Sequence, residues 1–423
     1  MPPELLSSLS RICESSELSR KALIMSIREF EYLCPNRIIF THHLADSLKS
    51  AKETLKVSKA FVVTDPGLAK LDHFKYLLET MDEIGFPHVV YDKTELNPDD
   101  LSIDAAATEL MKTDCDVVIG FGGGSTLDTA KTSAVLATNG GRTRAYFGVN
   151  TVPKQPLPCI AIPTTAGSGA DITYFMAIVD SEKHTKAQIL DVKAAPDISI
   201  IYPENLIGTP QHLIPAVGFD SLTHAVEGYI NAKANAITES LSIKAFELMS
   251  QNLVRFYNDN TDLEAAGALL LATSLGCMAC TTIGTGDAHC ITRSVGGRFH
   301  QVHHGTGLAV ALPHVLNFNL YGSTKKLADL ARAMGLDVSG KSELDQAKAL
   351  VLAIQRVRDD LGLPKSYKEL GVEMNDEILE ELALSSKDKS EHGSSAGAPP
   401  RKATIDEYKQ LIMDAWNGVE ISY

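Results

Sequence analysis

Little in this chain suits a nucleic acid or an anionic membrane surface. Its 39 Lys and Arg stand against 53 Asp and Glu, for a formal charge of -14. No compensating basic stripe appears, which excludes polyanion binding as the organising function. Cysteine is sparse and unpatterned: seven residues, an odd number, run from Cys13 to Cys290 without framework spacing. That excludes a disulfide scaffold and points to a reducing compartment, the cytoplasm. The lone Cys277-x-x-Cys280 lacks the second pair of a zinc ribbon and reads as helix packing. Near the N-terminus Glu4, Glu14 and Glu17 interrupt any apolar stretch, so a secretory signal is not expected and residues 1–30 read as an added amphipathic helix. Long apolar runs are missing too. The uncharged stretch 265–284 is mostly Ala, Gly, Thr, Ser and Leu without Lys, Arg, Trp or Tyr flanks, and reads as a buried helix. No internal repeat is visible.

What is present is a globular balance, 44% apolar and 22% charged, over 423 residues, too long for one core. From residue 36 to 206 short apolar runs alternate with amphipathic stretches. Residues 60–64, 88–91, 116–119, 159–163 and 198–202 read as buried strands, which implies a mostly parallel sheet covered by helices on both faces. After Pro210 helical periodicity takes over, with helices expected over 213–230, 238–257, 262–281, 305–320, 344–361 and 404–416. The expected organisation is an α/β dinucleotide-binding domain over 1–208 and an all-helical, metal-binding domain over 209–423. Residues 385–402, rich in Ser, Gly, Pro and Lys, read as an exposed loop.

Four scattered positions look like one metal site: Asp220 and His224 on one helix, His289, and His303 or His304. An acid-x-x-x-His pair alone arises by chance in a chain with this many acids. The weight comes from clustering, because His289, His300, His303, His304 and His314 fall within 26 residues. Three imidazoles and a carboxylate suit a borderline divalent ion, Fe2+ or Zn2+.

The segment Gly120-Phe-Gly-Gly-Gly-Ser-Thr-Leu-Asp128 follows an expected strand and opens a helix. It reads either as a pyrophosphate loop, where glycines let backbone amides approach the anion, or as a tight strand-to-helix turn. A second loop, Pro163-Thr-Thr-Ala-Gly-Ser-Gly-Ala-Asp-Ile-Thr173, carries hydroxyls at Thr164, Thr165 and Ser168 suited to a nicotinamide and ribose. Asp65 closes a strand, where it either accepts hydrogen bonds from an adenosine ribose or caps a turn ahead of Pro66.

Taken in order, 122–131, 163–169, 218–229, His304-Gly305 and Leu312-Pro-His314 make the chain resemble the iron-containing alcohol dehydrogenases over residues 36 to 420. The resemblance implies a Rossmann-like α/β part and an all-α part in a dehydroquinate synthase-like architecture, with the active site in the cleft between. It implies hydride transfer between NAD(H) and a small alcohol or aldehyde, with the metal as Lewis acid on the substrate oxygen. By motif, Asp65, Gly122, Gly123, Gly124, Ser125, Asp128, Thr164, Thr165, Ser168, Thr173 and Lys186 surround the cofactor, and Asp65 favours NAD over NADP. The ligand set carried over is Asp220, His224, His289 and one of His303 and His304. Counting forward from His289 favours His303, and counting back from residues 312–314 favours His304. We take His304, because an extra residue fits more easily in the loop 297–302 than in the following helix, and leave His303 as a candidate at the substrate. The resemblance favours iron as the metal, and a homo-oligomer, dimer or larger, as the assembly.

Three departures from the family pattern stand out. Arg293 occupies a position where the family usually has a second histidine. Guanidinium cannot relay a proton at working pH but grips an oxyanion with two parallel hydrogen bonds. A substrate bearing a carboxylate, sulfonate or phosphonate is therefore expected; pairing of Arg293 with Asp287, or contact with a cofactor phosphate, is the plainer reading. Asp171 replaces the usual Glu, and the loop 385–402 is longer than the pattern requires. Two alternatives remain beside the dehydrogenase: a lyase of the dehydroquinate synthase type, which returns its NAD oxidised, and a non-catalytic homologue.

Overall fold

The computed structural model describes residues 29–423 except 184 and 394–396. The helix expected over 1–30 thus falls outside the described residues, save 29 and 30, which carry no regular structure. The strands are β1 (Arg37–Phe40), β2 (Ala60–Val63), β3 (His88–Tyr91), β4 (Val117–Gly122), β5 (Gly148–Val149), β6 (Cys159–Pro163), β7 (Phe175–Asp180), β8 (Thr185–Leu190) and β9 (Ile198–Ile201). Six of them form one sheet in the order β1-β9-β6-β4-β2-β3, every pairing parallel. β2, β4, β6 and β9 are buried along their whole length, which is why they read as continuous apolar runs.

Helices α1 (Leu44–Leu55) and α2 (Asp72–Glu83) cover one face, packing Leu48, Phe74 and Leu77 against Val62, Ile119 and Ile160. The other face, with Phe61, Val63 and Val118, is covered by Ala106 and Leu110 of α3 (Asp100–Met111) and Ala130 and Ala134 of α4 (Gly124–Asn139). A three-stranded sheet β5-β8-β7 follows. From β2 the chain moves outward to β3, and from β4 it moves the opposite way to β6. The crevice at their C-terminal ends is therefore a topological switch point, the usual ligand site of such sheets.

The helical region comprises α5 (Ile214–Ile230), α6 (Ala236–Asn258), α7 (Leu263–Ile283), α8 (Asp287–Arg298), α9 (His304–Phe318), α10 (Thr324–Ala333), α11 (Glu343–Asp360), α12 (Asp376–His392) and α13 (Ile405–Asn417). One core unites them, with Phe219 and Leu222 of α5, Phe246 of α6, Leu270 of α7, Leu308 and Leu312 of α9 and Tyr408 of α13. Among the described residues α7 alone is long and apolar enough to cross a membrane, but 67% of its apolar window is buried in this core.

The loop expected over 385–402 needs correction. Its first part, through His392, completes α12. Serine at these positions satisfies itself along the helix, with Ser386 Oγ donating to the Leu382 carbonyl at 2.7 Å, and Lys387 pairs with Glu391 one turn on. Composition pointed to a loop because the packing that buries Ser386 and Ser390 comes from outside the segment. Past the helix, Ala398 is tied down: its carbonyl accepts from Ala232 N at 2.7 Å, and its N–H donates to Asn231 Oδ1 at 3.3 Å. Asp171, the second departure, is buried and accepts from Ser199 Oγ at 2.8 Å on β9 and Ser274 Oγ at 3.1 Å on α7. Its shorter side chain joins the sheet to the helical region.

Candidate metal and nucleotide site

Helix α5 starts with Pro215 in its first turn and buries Phe219, Leu222, Ala225 and Val226 in the core. Asp220 and His224, one turn apart, then share a different face. The structure brings His289, early in α8, and His304, first residue of α9, to the same point. One ligand atom each from Asp220, His289 and His304 lie within 4.8 Å of one another. Asp220 Oδ1 stands 3.5 Å from His289 Nε2, 3.7 Å from His304 Nε2 and 3.6 Å from His224 Nδ1. His224 stays outside the tight trio, with its ring 4.5 Å from that of His289. His303 is the exposed residue just before α9, and His300 is exposed as well. His314 is buried farther along α9.

The donor set fits a divalent cation. Asp220 Oδ1, His224 Nδ1 and His289 Nε2 are buried without a hydrogen-bond partner, an arrangement that is costly unless something positive joins them. Burial works against the Asp220 carboxylate, but His224, His304 and His289 outweigh it and hold the group ionised. Burial pushes His224 down to about 4, with Asp220 opposing, and drives His304 well down as well. Both imidazoles are therefore neutral and able to ligate near neutral pH.

One participant was not singled out from the sequence. Glu227, two turns after Asp220 on α5, is buried and lies 2.6 Å from His289 Nδ1. The signal was an acid seven positions on, hence on the same helical face.

The nucleotide-type loops meet at the switch point. β4 ends at Gly122, Gly123 precedes α4 with no side-chain cap, and the first amides of α4 are left to an anion. A Cβ on Gly124 would come 2.6 Å from Ser168 Oγ, so this loop and the 163–173 loop touch. Ser125 Oγ accepts from Asn97 N at 3.3 Å. Thr164 N donates to the Gly122 carbonyl at 3.1 Å. Asp65 Oδ1 accepts from Gly67 N at 2.8 Å and Leu68 N at 2.9 Å, so the carboxylate caps the turn after β2. Asp128 is buried, 2.9 Å from Lys131 Nζ, and accepts from Ala177 N at 2.9 Å, bracing α4 against β7. Thr165 sits beside Gly123, Thr173 is buried just before β7, and Lys186 is exposed on β8. Among the charges acting on Lys186 are those of Asp220 and Arg293, which places it on the cleft shared with the metal trio; crowding by the cleft walls is the main cause of its lowered pKa, although it remains open to solvent. Asp287 Oδ1 accepts from Tyr408 and Ser390.

Close approach of α9 to α5 is what carries His304 to Asp220. A Cβ on Gly305 would lie 1.8 Å from the Ala216 carbonyl oxygen, on rigid backbone. Gly305→Ala is expected to cost about 1–3 kcal/mol or more and to reduce bound metal together. A thermal melt and metal analysis check this, and an unchanged melting temperature would contradict the packing argument.

A parallel nucleotide-type sheet beside a helical region that presents a carboxylate and imidazoles to the same cleft fits the class of metal-dependent, nucleotide-linked enzymes. The family profile "Iron-containing alcohol dehydrogenase" matches residues 35–203, and "Fe-containing alcohol dehydrogenase family, C-terminal" matches 215–416. The NAD-dependent methanol dehydrogenase of Bacillus methanolicus is 33% identical over 84% of this chain and 92% of that protein. The sulfoacetaldehyde reductase of Bilophila wadsworthia is 33% identical over 79% of this chain and 87% of its own length. The crystal structure of a 1,3-propanediol oxidoreductase superposes with a TM-score of 0.86 at 31% identity, covering 92% of this chain and all (100%) of that one. The chain belongs to the iron-containing alcohol dehydrogenase family. It is an alcohol/aldehyde oxidoreductase with NAD(H) and a divalent metal as cofactors.

Proposed function

We propose that this enzyme interconverts a small alcohol and aldehyde bearing an anionic group, with NAD(H) and Fe2+, in the cytoplasm. The observation that carries the substrate class is the charge of the cleft. Arg293 on α8 is close enough to lower the pKa of His304 and of Lys186, so the charges of Arg293 and Lys186 both act beside the trio. With Asp220 engaged by the metal ion, these two cations would attract the anionic end of a substrate. The sulfoacetaldehyde reductase among the relatives, named for a sulfonated aldehyde, supports this reading. The family favours Fe2+, which the three-imidazole, one-carboxylate set accommodates as it would Zn2+, and the six described cysteines, all free, fit a reducing compartment.

Asp220, His224, His289 and His304 would hold the ion, which when bound supplies Lewis-acid polarisation of the carbonyl. Arg293 and Lys186 orient the substrate's anionic end. The loops 122–125 and 164–168 seat the pyrophosphate and nicotinamide ribose, and Asp65 faces the adenosine ribose.

Protein purified anaerobically with its metal, assayed for NADH turnover over neutral, carboxylated, sulfonated and phosphonated aldehydes, tests this reading. Higher kcat/KM on an anionic aldehyde is expected; better turnover of neutral aldehydes would refute the substrate class, and NAD returned oxidised would refute the dehydrogenase. NAD is expected to exceed NADP in kcat/KM by at least about tenfold, because Asp65 repels a 2′-phosphate. Asp65→Ser should narrow that ratio, and an unaltered ratio would remove Asp65 from the ribose site.

A further inference from the structure

We propose that Glu227 is a positioning residue of the metal site, a buried carboxylate that orients His289 and thereby sets how tightly the ion is held. The inference rests on the metal reading above. Glu227 is 2% exposed. Its Oε2 lies 2.6 Å from His289 Nδ1 and accepts from Gly286 N at 2.7 Å, while Oε1 accepts from Ala288 N at 2.7 Å.

The chemistry follows from who can donate. A carboxylate only accepts, and so do both oxygens here, so His289 must carry its proton on Nδ1. Nε2 is then the nitrogen turned to Asp220 Oδ1, at 3.5 Å, and neither atom has a hydrogen-bond partner. With Nδ1 held by Glu227, Nε2 is the lone pair that the ring can offer to a metal ion between the two atoms. Glu227 thus decides which nitrogen is presented and makes it a more basic ligand, the role a carboxylate plays behind a metal-bound histidine.

The surrounding chain is built around this carboxylate. A Cβ on Gly286 would come 2.7 Å from Glu227 Oε1, so a larger residue would displace it. Gly286 is also the residue before α8, and it offers no side chain as a cap. Glu227 accepts two of the amides at that helix start, a task ordinarily done by a capping side chain. One residue of α5 therefore fixes both the start of α8 and the ring of His289 on it. Asp220, His224 and Glu227, spaced four and three apart, let one helix face supply two ligands and the support of a third.

The test is Co2+ binding to metal-free protein by anaerobic equilibrium dialysis, with the Co2+ absorption spectrum recorded and NAD+ affinity measured alongside. Glu227→Gln keeps the shape and is expected to weaken Co2+ binding by about 10- to 100-fold and to alter the spectrum, with NAD+ affinity within about twofold of wild type. If Glu227→Gln fails to fold, Glu227→Asp, which keeps the charge but withdraws it by one methylene, should show the same loss. A folded variant that binds Co2+ as tightly as wild type, with the same spectrum, overturns the role of Glu227. Wild-type protein that binds no better than Asp220→Ala overturns the metal reading itself, a separate outcome.

Discussion

Asp220→Ala is expected to yield a folded protein that retains no metal and loses about 10^3-fold or more in kcat/KM, the several kcal/mol that a Lewis acid contributes. Asp220 is the hub of the site. Its Oδ1 lies within 3.5–3.7 Å of imidazole nitrogens from three different helices. Without it, neutral rings face one another with no anionic ligand. The same assay separates the neighbouring histidines. His304→Ala should lose metal nearly as completely, because His304 belongs to the trio. His303→Ala should keep the metal, since His303 is exposed before α9. Metal content by elemental analysis and NADH turnover decide the matter, and loss of metal in the His303 variant with retention in the His304 variant would reverse the assignment.

Arg293→Ala is expected to lower kcat/KM on an anionic aldehyde by about 10^2-fold, as for loss of a charge-assisted hydrogen-bonded pair worth roughly 3 kcal/mol. Neutral aldehydes should change by only a few-fold. Arg293→Lys should recover little, because the fork geometry is lost while the charge stays. The charge of Arg293 acts on His224, His289 and His304 alike, so a small general effect on the metal site accompanies the selective one. Comparing the two substrate classes cancels that common part. Equal losses on both classes would assign Arg293 to the metal or cofactor and end the anionic-substrate reading.

Elements whose signal lies within their own residues were legible in advance. The buried strands β2, β4, β6 and β9 announced themselves as β-branched runs, and α5, α6, α7, α9, α11 and α13 by apolar periodicity. α10, α12 and the strands β7 and β8 carry no comparably clear signal in their own residues. In α12 the serine-rich end masks a periodicity that only its partners complete, with Ser390 donating to Asp287 across 103 residues. Of the site, the pairing of Asp220 with His224 follows from helical spacing alone. Asp65 left two readings open, and the bonds from Gly67 and Leu68 show the turn cap without removing the carboxylate from the end of β2.

Residue pattern alone therefore carries the order of α/β and helical regions, the glycine loop after β4 and the residue types of the candidate metal site, because each depends on short-range spacing. Which of two adjacent histidines faces Asp220 depends on how α9 packs against α5, a close approach that Gly305 permits beside Ala216. The partnership of Glu227 with His289 spans 62 residues and exists because α5 and α8 pack side by side. Ring orientation, buried acceptors without partners and converging charges are properties of distance in space, and spacing along the chain carries no record of them.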